Sequence, residues 1–211
     1  MENGKLLRRI GNEKIYEDYY MKLVLPDELD SVMELQEHVY KNLPNKNVLF
    51  CDEYDDIYND LKGDSKILGV YNSSSKLIAY RYISVPGITG KNLGLDIGLS
   101  GDELKHVAHL ETTVVHPEYR GNNLQSLTLV NLVPQILELG YNHLICTISP
   151  QNPYSLYNIM KNGLSIKALK RKYITKENEN GLWRFILHMD LNEVIDLKKV
   201  SLKTLELHSY E

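Results

Sequence analysis

Apolar and polar positions along this chain change period many times, and each change marks a new element. YYMKLVL at residues 19–25 reads as a strand that Pro26-Asp27 ends. Over 27–42, Leu29, Val32, Met33, Leu35, Gln36 and Val39 recur at helical spacing behind an acidic start, until Pro44-Asn45 breaks the pattern. A shorter helix is expected across 52–62, where Tyr54, Ile57, Tyr58 and Leu61 share one side. KILGVYN (66–72) and LIAYRYISV (77–85) flank Ser73-Ser74-Ser75 and read as a hairpin. Residues 86–103 are Gly-rich and irregular, with a short helix expected near 99–105.

The second half is more regular. HVAHLETTVV, ending at Val115, is a long strand. Its alternation puts Ala108, Leu110, Thr112 and Val114 on one largely apolar face and His109, Glu111 and Thr113 on the other. The clearest helix is 122–139, with Leu124, Leu127, Val130, Val133 and Leu137 in one stripe and Leu129, Leu132, Ile136 and Leu139 in a second. Two stripes predict a helix buried on a wide face, with Pro134 kinking it or weakening one internal hydrogen bond and Gly140 as the stop. HLICTIS (143–149) is a short buried strand, 153–162 a helix begun at Asn152-Pro153, and 165–174 and 182–191 two strands joined by KENENG. Residues 1–18 are expected as an N-terminal extension, 19–191 as one domain and 192–211 as an appended tail.

Composition narrows the function classes. The chain has 211 residues, 43% hydrophobic and 25% charged, which fits one globular domain. A net charge of −4 gives no basic footprint for nucleic acid, and an acidic surface suits an amine substrate slightly better than an anionic one. Cys51 and Cys146 form no CxxC pair and read as reduced thiols. The start, MENGKLLRRIGNEK, has no apolar signal core, and no long apolar run occurs, so no membrane partner and a cytoplasmic setting are expected. His106, His109 and His116 do not make a zinc set: no Cys or carboxylate has the usual spacing, and residues three apart on a strand do not face together, so no metal is expected. G-x-S-x-G, GxGxxG and P-loop patterns are absent.

The most informative stretch is HPEYRGNNLQSLTL, residues 116–129. A strand passes through a Gly-containing turn directly into a helix, which leaves backbone N–H groups unpaired at the positive end of a helix dipole and so favours a phosphate. The segment resembles motif A of the GNAT superfamily of acyl-CoA N-acyltransferases, a strand ending V-x-P-x-[YF] followed by [RQ]-x-x-G-x-[GA] and a helix. Val115, Pro117, Tyr119, Arg120, Gly121 and Leu124 fit; Asn123 and Gln125 stand where the family has small residues. Ser149-Pro-Gln-Asn152-Pro-Tyr-Ser155 with Lys161-Asn-Gly163-Leu164 resembles motif B, and the element order over roughly 19–191 is that of the same fold.

The resemblance implies an α/β fold, a mixed and mostly antiparallel sheet with helices on both faces, and acetyl-CoA as co-substrate. It implies pantetheine contacts at Thr113, Val114 and Val115. Pyrophosphate would be held at Arg120, Gly121, Asn122, Asn123, Leu124, Gln125 and Ser126, and the pantetheine arm at Asn152 and Ser155. The family's helix tyrosine, which protonates the leaving thiolate, falls by spacing on Ile159, so Tyr157 becomes the candidate acid. Transfer to an amine needs the ammonium deprotonated, and Glu111, or else His109, is the candidate base. The partners implied are acetyl-CoA and an amine acceptor, with a homodimer allowed; the alternative is a non-catalytic acyl-CoA-binding or regulatory domain of the same fold.

Overall fold

The computed structural model describes residues 4–174 and 179–193. Among these, eight strands form one sheet in the order β1-β2-β3-β4-β5-β6-β8-β7. The strands are β1 (Gly4–Ile10), β2 (Glu13–Leu23), β3 (Lys66–Asn72), β4 (Leu77–Ser84), β5 (Val107–Val115), β6 (His143–Ile148), β7 (Ser165–Lys172) and β8 (Leu182–Asp190). Every pairing is antiparallel except β5 with β6. The helices are α1 (Leu29–Lys41), α2 (Tyr54–Asp60), α3 (Leu124–Glu138) and α4 (Pro153–Lys161).

Two large cores flank the sheet, with a small third cluster at Leu93, Val107, Ile145 and Ile186. On one face Leu124, Leu129, Leu132 and Ile136 of α3 and Ile159 of α4 pack on Leu68, Val70, Ala108, Leu110, Leu144 and Cys146. On the other, Leu29, Val32, Leu35 and Val39 of α1 and Ile57 of α2 pack on Ile67, Tyr71, Tyr80 and Tyr82. Burial of both faces by crossover helices is what the long apolar strands require. Among the described residues no helix is long and apolar enough to cross a membrane.

The structure differs from the sequence reading in four places. Residues 4–10, expected in an extension, form β1, and β2 starts at Glu13 rather than at residue 19. The pattern of β1 is too polar to announce a strand because it is a sheet edge. Residues 86–106 hold the short helix expected near 99–105, as a 3-10 turn at Gly101–His106, and a second, unexpected one at Leu93–Ile97. Val130 of α3 and its C-cap Leu139, both in the expected apolar stripes, are exposed.

The fourth difference matters most. Arg81 pairs with Thr113 but Ile83 with Leu110, so β5 carries one extra residue opposite Tyr82, a β-bulge at Glu111-Thr112. The bulge reverses the alternation: Ala108 and Leu110 belong to the α3 core, whereas Val114 belongs to the α1 core. The single apolar face expected for 108, 110, 112 and 114 does not exist. Glu111 and Thr112 instead share one face, and Thr113 turns to the other. The expected tail, from residue 194 onward, lies outside the described residues.

Candidate active site

β5 and β6 pair only over Val107–His109 against His143–Ile145. Beyond that β6 stays on β8 as far as Ile148, so the two parallel strands part and open the sheet. The opening is a cleft of about 760 Å³. Asp52, Asp56, Asp60, Tyr82, Ser84 and Glu111 line it on the α1/α2 side; Arg81, Gln125, Cys146, Asn152, Ser155 and Ile159 line it on the α3/α4 side.

His109 is nearly sealed, at 4% exposure. Its Nε2 accepts the Leu93 N–H at 2.9 Å, so Nδ1 carries the proton and donates to Glu111 Oε1 at 3.2 Å. Ser84 Oγ donates to the same oxygen at 2.7 Å, and among the described residues Oε2 has no partner. Burial alone would raise the proton affinity of Glu111, but the hydrogen bonds from His109 and the Ser84 hydroxyl outweigh it, and the carboxyl titrates below its ordinary value. Glu111 is thus an ionised, oriented carboxylate. His109, with both ring nitrogens engaged, orients it and has no free nitrogen with which to take a substrate proton.

A second carboxylate was not singled out by sequence reasoning. Asp52 lies between α1 and α2, and Gln36 grips its backbone from both sides: Gln36 Nε2 donates to the Asp52 carbonyl at 2.9 Å and the Asp52 N–H donates to Gln36 Oε1 at 3.2 Å. Tyr80 adds its hydroxyl to Gln36 Oε1 at 3.2 Å. Asp52 Oδ2 is buried and, among the described residues, has no hydrogen-bond partner. Burial pushes the carboxyl up to about 7 against a stabilising Thr112 hydroxyl, and the charges of Glu111, Asp56 and Asp60 push the same way. The available signal was Gln36 itself, a polar side chain on the core stripe of α1 that had to find partners.

The turn at the end of β5 is held by the first strand of the chain. Gly121 has φ +82° and Asn123 φ +58°, so Asn123 adopts the left-handed conformation that a glycine would take there. Asn123 makes no side-chain cap, and the first helical bond of α3 runs from Leu127 N–H to the Asn123 carbonyl. The N–H groups of Leu124, Gln125 and Ser126 therefore have no partner within the helix. Asn122 is committed elsewhere: its side chain accepts from Leu7 N–H at 2.9 Å and donates to the Leu7 and Tyr119 carbonyls, both at 2.8 Å. Arg9 donates to the Arg120 carbonyl at 2.5 Å, and Arg8 pairs with Glu118 at 2.7 Å. β1 braces the turn. Gln125 and Ser126 point toward α4, accepting from Asn158 and Asn162, both at 2.8 Å.

Of the remaining sequence candidates, Thr113, Gln125, Asn152 and Ser155 line the cleft together with Glu111 and His109. Asn152 caps α4 by accepting the Ser155 N–H at 3.1 Å. Val114 is 2% exposed in the α1 core, and Leu124 is likewise buried. Arg120 and Gly121 are exposed on the turn, and Val115 packs against the α3 core. Asn122, Asn123 and Ser126 line a second groove of about 500 Å³ beside the first turn of α3, with Lys5 and Lys161 on its rim. The expected acid, Tyr157, is 67% exposed and does not line the cleft. Tyr173 does. Its φ is +58°, its hydroxyl lies 2.6 Å from Thr147 Oγ1, its ring stacks on Phe50, and burial pushes its phenol up to about 12. Lys170 and Lys172 of the basic stretch on β7 both pair with Asp96. Among the described residues no group of His, Cys, Asp and Glu gathers as a metal site.

This sheet, parted between its two parallel strands with an uncapped helix N-terminus at the mouth, is the fold of GNAT acyltransferases. No family model and no curated protein sequence matches the chain. Solved structures do. An N-acetyltransferase from Staphylococcus aureus Mu50 superposes with TM-score 0.61 at 12% identity, over 82% of this chain and 98% of that one. An acetyltransferase of the GNAT family from Streptococcus pneumoniae gives 0.59 at 15%, over 82% and 99%. A GNAT superfamily phosphinothricin acetyltransferase from Sinorhizobium meliloti, in complex with acetyl-CoA, gives 0.59 at 14%, over 82% and 88%.

Proposed function

We propose that this protein is an N-acetyltransferase that moves an acetyl group from acetyl-CoA to a primary amine by direct attack. One observation carries the reading: the cleft runs through the sheet where β5 and β6 part, with free helix N–H groups at one mouth and carboxylates on the opposite wall. The pantetheine arm lies between the parted strands beside Thr113, Asn152 and Ser155. The pyrophosphate meets the N–H groups of residues 124–126 and the turn at Gly121, and the nucleotide end continues toward the second groove, where Lys5 and Lys161 stand.

The amine comes from the α1/α2 side. Glu111 is ionised there and draws the ammonium to the thioester, directly or through a water. Once neutral, the nitrogen attacks the thioester carbon, the C–N bond forms, the C–S bond breaks and the thiolate takes a proton. Tyr173, a phenol at the cleft that keeps its proton at neutral pH, is placed to supply it. Positioning of the two substrates in one cleft supplies much of the remaining acceleration.

A second reading, a non-catalytic acyl-CoA-binding domain, draws on Tyr157 standing in solvent and Ile159 occupying the place of the family's tyrosine. One experiment separates the two. CoA binding by calorimetry is run in parallel with thiol release from acetyl-CoA against a panel of primary amines. Binding with amine-dependent release supports the enzyme, binding without release supports the second reading, and no binding refutes both.

A further inference from the structure

We infer that Asp52, in the segment joining α1 to α2, is the general base on which the proton of the attacking amine comes to rest. The inference rests on the acyltransferase reading and names the destination of the proton within it.

Glu111 is poorly suited to keep a proton. It already receives hydrogen bonds from His109 and Ser84, both of which favour its charged form. It is good at holding an ammonium and weak at deprotonating one. Asp52 has the opposite surroundings. Its carboxyl lines the same cleft, where a proton can reach it directly or through a water, and among the described residues its buried Oδ2 has no hydrogen-bond donor. Gln36, itself 3% exposed, fixes the backbone of Asp52 on both sides, and Tyr80 fixes Gln36. The carboxyl is therefore held against the cleft by a buried network. The bulge at Glu111-Thr112 completes the arrangement by placing two consecutive residues on this face: Glu111 for the ammonium and Thr112 against Asp52.

The charges around Asp52 act in one direction. From α2, Asp56 and Asp60 raise its proton affinity, and from β5 so does Glu111. Tyr80 and Tyr82 from β4 and Tyr173 from the end of β7 retain their phenolic protons, and Cys51 beside it is pushed up to about 11. Lys91, Arg81 and Arg184 are the cations that line the same cleft. Asp52 consequently changes charge near neutrality, where a base is both unprotonated in part and strong enough to work. The step balances: one ammonium proton passes to the Asp52 carboxylate, the freed lone pair forms the C–N bond, the C–S electron pair leaves on sulfur and takes the Tyr173 phenolic proton, and the second proton lost by the nitrogen restores the phenol. Asp52 returns its proton to solvent before the next cycle.

The test uses the full chain as wild type, Asp52→Asn and Glu111→Gln. Each is titrated with CoA by calorimetry and then assayed for thiol release from acetyl-CoA with primary amines from about pH 5.5 to 9.5. All three bind CoA alike. Asp52→Asn loses roughly 10²–10⁴-fold in turnover together with the limb of the pH profile near neutrality. Glu111→Gln raises the KM for the amine and keeps the limb. Turnover and limb both unchanged in Asp52→Asn would overturn the inference. Absence of CoA binding, or of release with any amine, removes the acyltransferase reading and the inference with it. A carbon-13 titration of the Asp52 carboxyl in the free protein provides a readout independent of the acceptor: a midpoint near neutrality is expected, and one below about 5 overturns the proposal.

Discussion

Asp52 should make the protein less stable as pH rises, and the size of the effect follows from its surroundings. Its carboxyl moves from an ordinary 3.8 to about 7 in the folded chain. A raised carboxylic acid means that the folded state holds more protons than the unfolded state between those two values. Stability therefore falls as pH rises through that window and levels off above it. Three pH units at 1.36 kcal/mol each give a loss of about 4 kcal/mol, an upper bound because water reaches part of the side chain. Asn at position 52 cannot ionise and escapes this loss, although its amide brings a fixed offset of about 1–3 kcal/mol if it lacks partners. The offset does not depend on pH, so the informative quantity is how the difference between the two proteins changes. Urea unfolding of wild type and Asp52→Asn is measured at steps between about pH 4 and pH 9. The variant should gain on the wild type by about 2–4 kcal/mol across the range, nearly all of it by pH 8. Two curves that stay parallel to within about 1 kcal/mol would show that Asp52 titrates normally, and the reasoning from its unpartnered oxygen would be refuted.

Other perturbations address other parts of the site. Gly121→Val forces a branched residue into a left-handed conformation, where its Cβ meets the Arg9 guanidinium at 3.4 Å. CoA affinity measured by calorimetry should fall by at least about tenfold with the fold retained by circular dichroism, and unchanged affinity would remove the turn from the binding site. Asn122→Ala removes two hydrogen bonds to Leu7 that tie β1 to the turn and a third to Tyr119 within the turn. It should cost about 1–3 kcal/mol in chemical denaturation, and hydrogen exchange should rise first at Leu7; no loss would mean that β1 does not brace the turn. Tyr173→Phe should slow thiol release by at least about tenfold while Tyr157→Phe leaves it unchanged, and the reverse result would return the acid role to α4.

Much of the fold was legible in the sequence, because apolar period reports burial directly. The strands from residue 66 onward and the helices α1, α3 and α4 lie within a few residues of their expected bounds, and motif and order together pointed to the fold. What escaped depends on partners distant in sequence. β1 is a polar edge whose fit comes from Asn122, more than a hundred residues away. The bulge on β5 comes from its register with β4, so the face on which Thr113 and Val114 lie could not be read from β5 alone. Glu111 and His109 do meet in the cleft, and their neighbours explain why one is ionised and the other occupied. Tyr157 and Tyr173 were indistinguishable as residue types; packing put one in solvent and bent the backbone at the other. Asp52 looked like one acid in a short acidic helix until Gln36 was seen to hold it.

The central claim is that acetyl-CoA sits in the cleft between β5 and β6 and reacts there with an amine. The most direct test is hydrogen exchange with and without acetyl-CoA, followed by thiol release from the same sample on adding primary amines. Protection is expected at residues 113–115, 120–126 and 152–155, and at 4–6 and 161–162 around the second groove, followed by amine-dependent release of one thiol per acetylated amine. Protection elsewhere, or none at saturating acetyl-CoA, would contradict it.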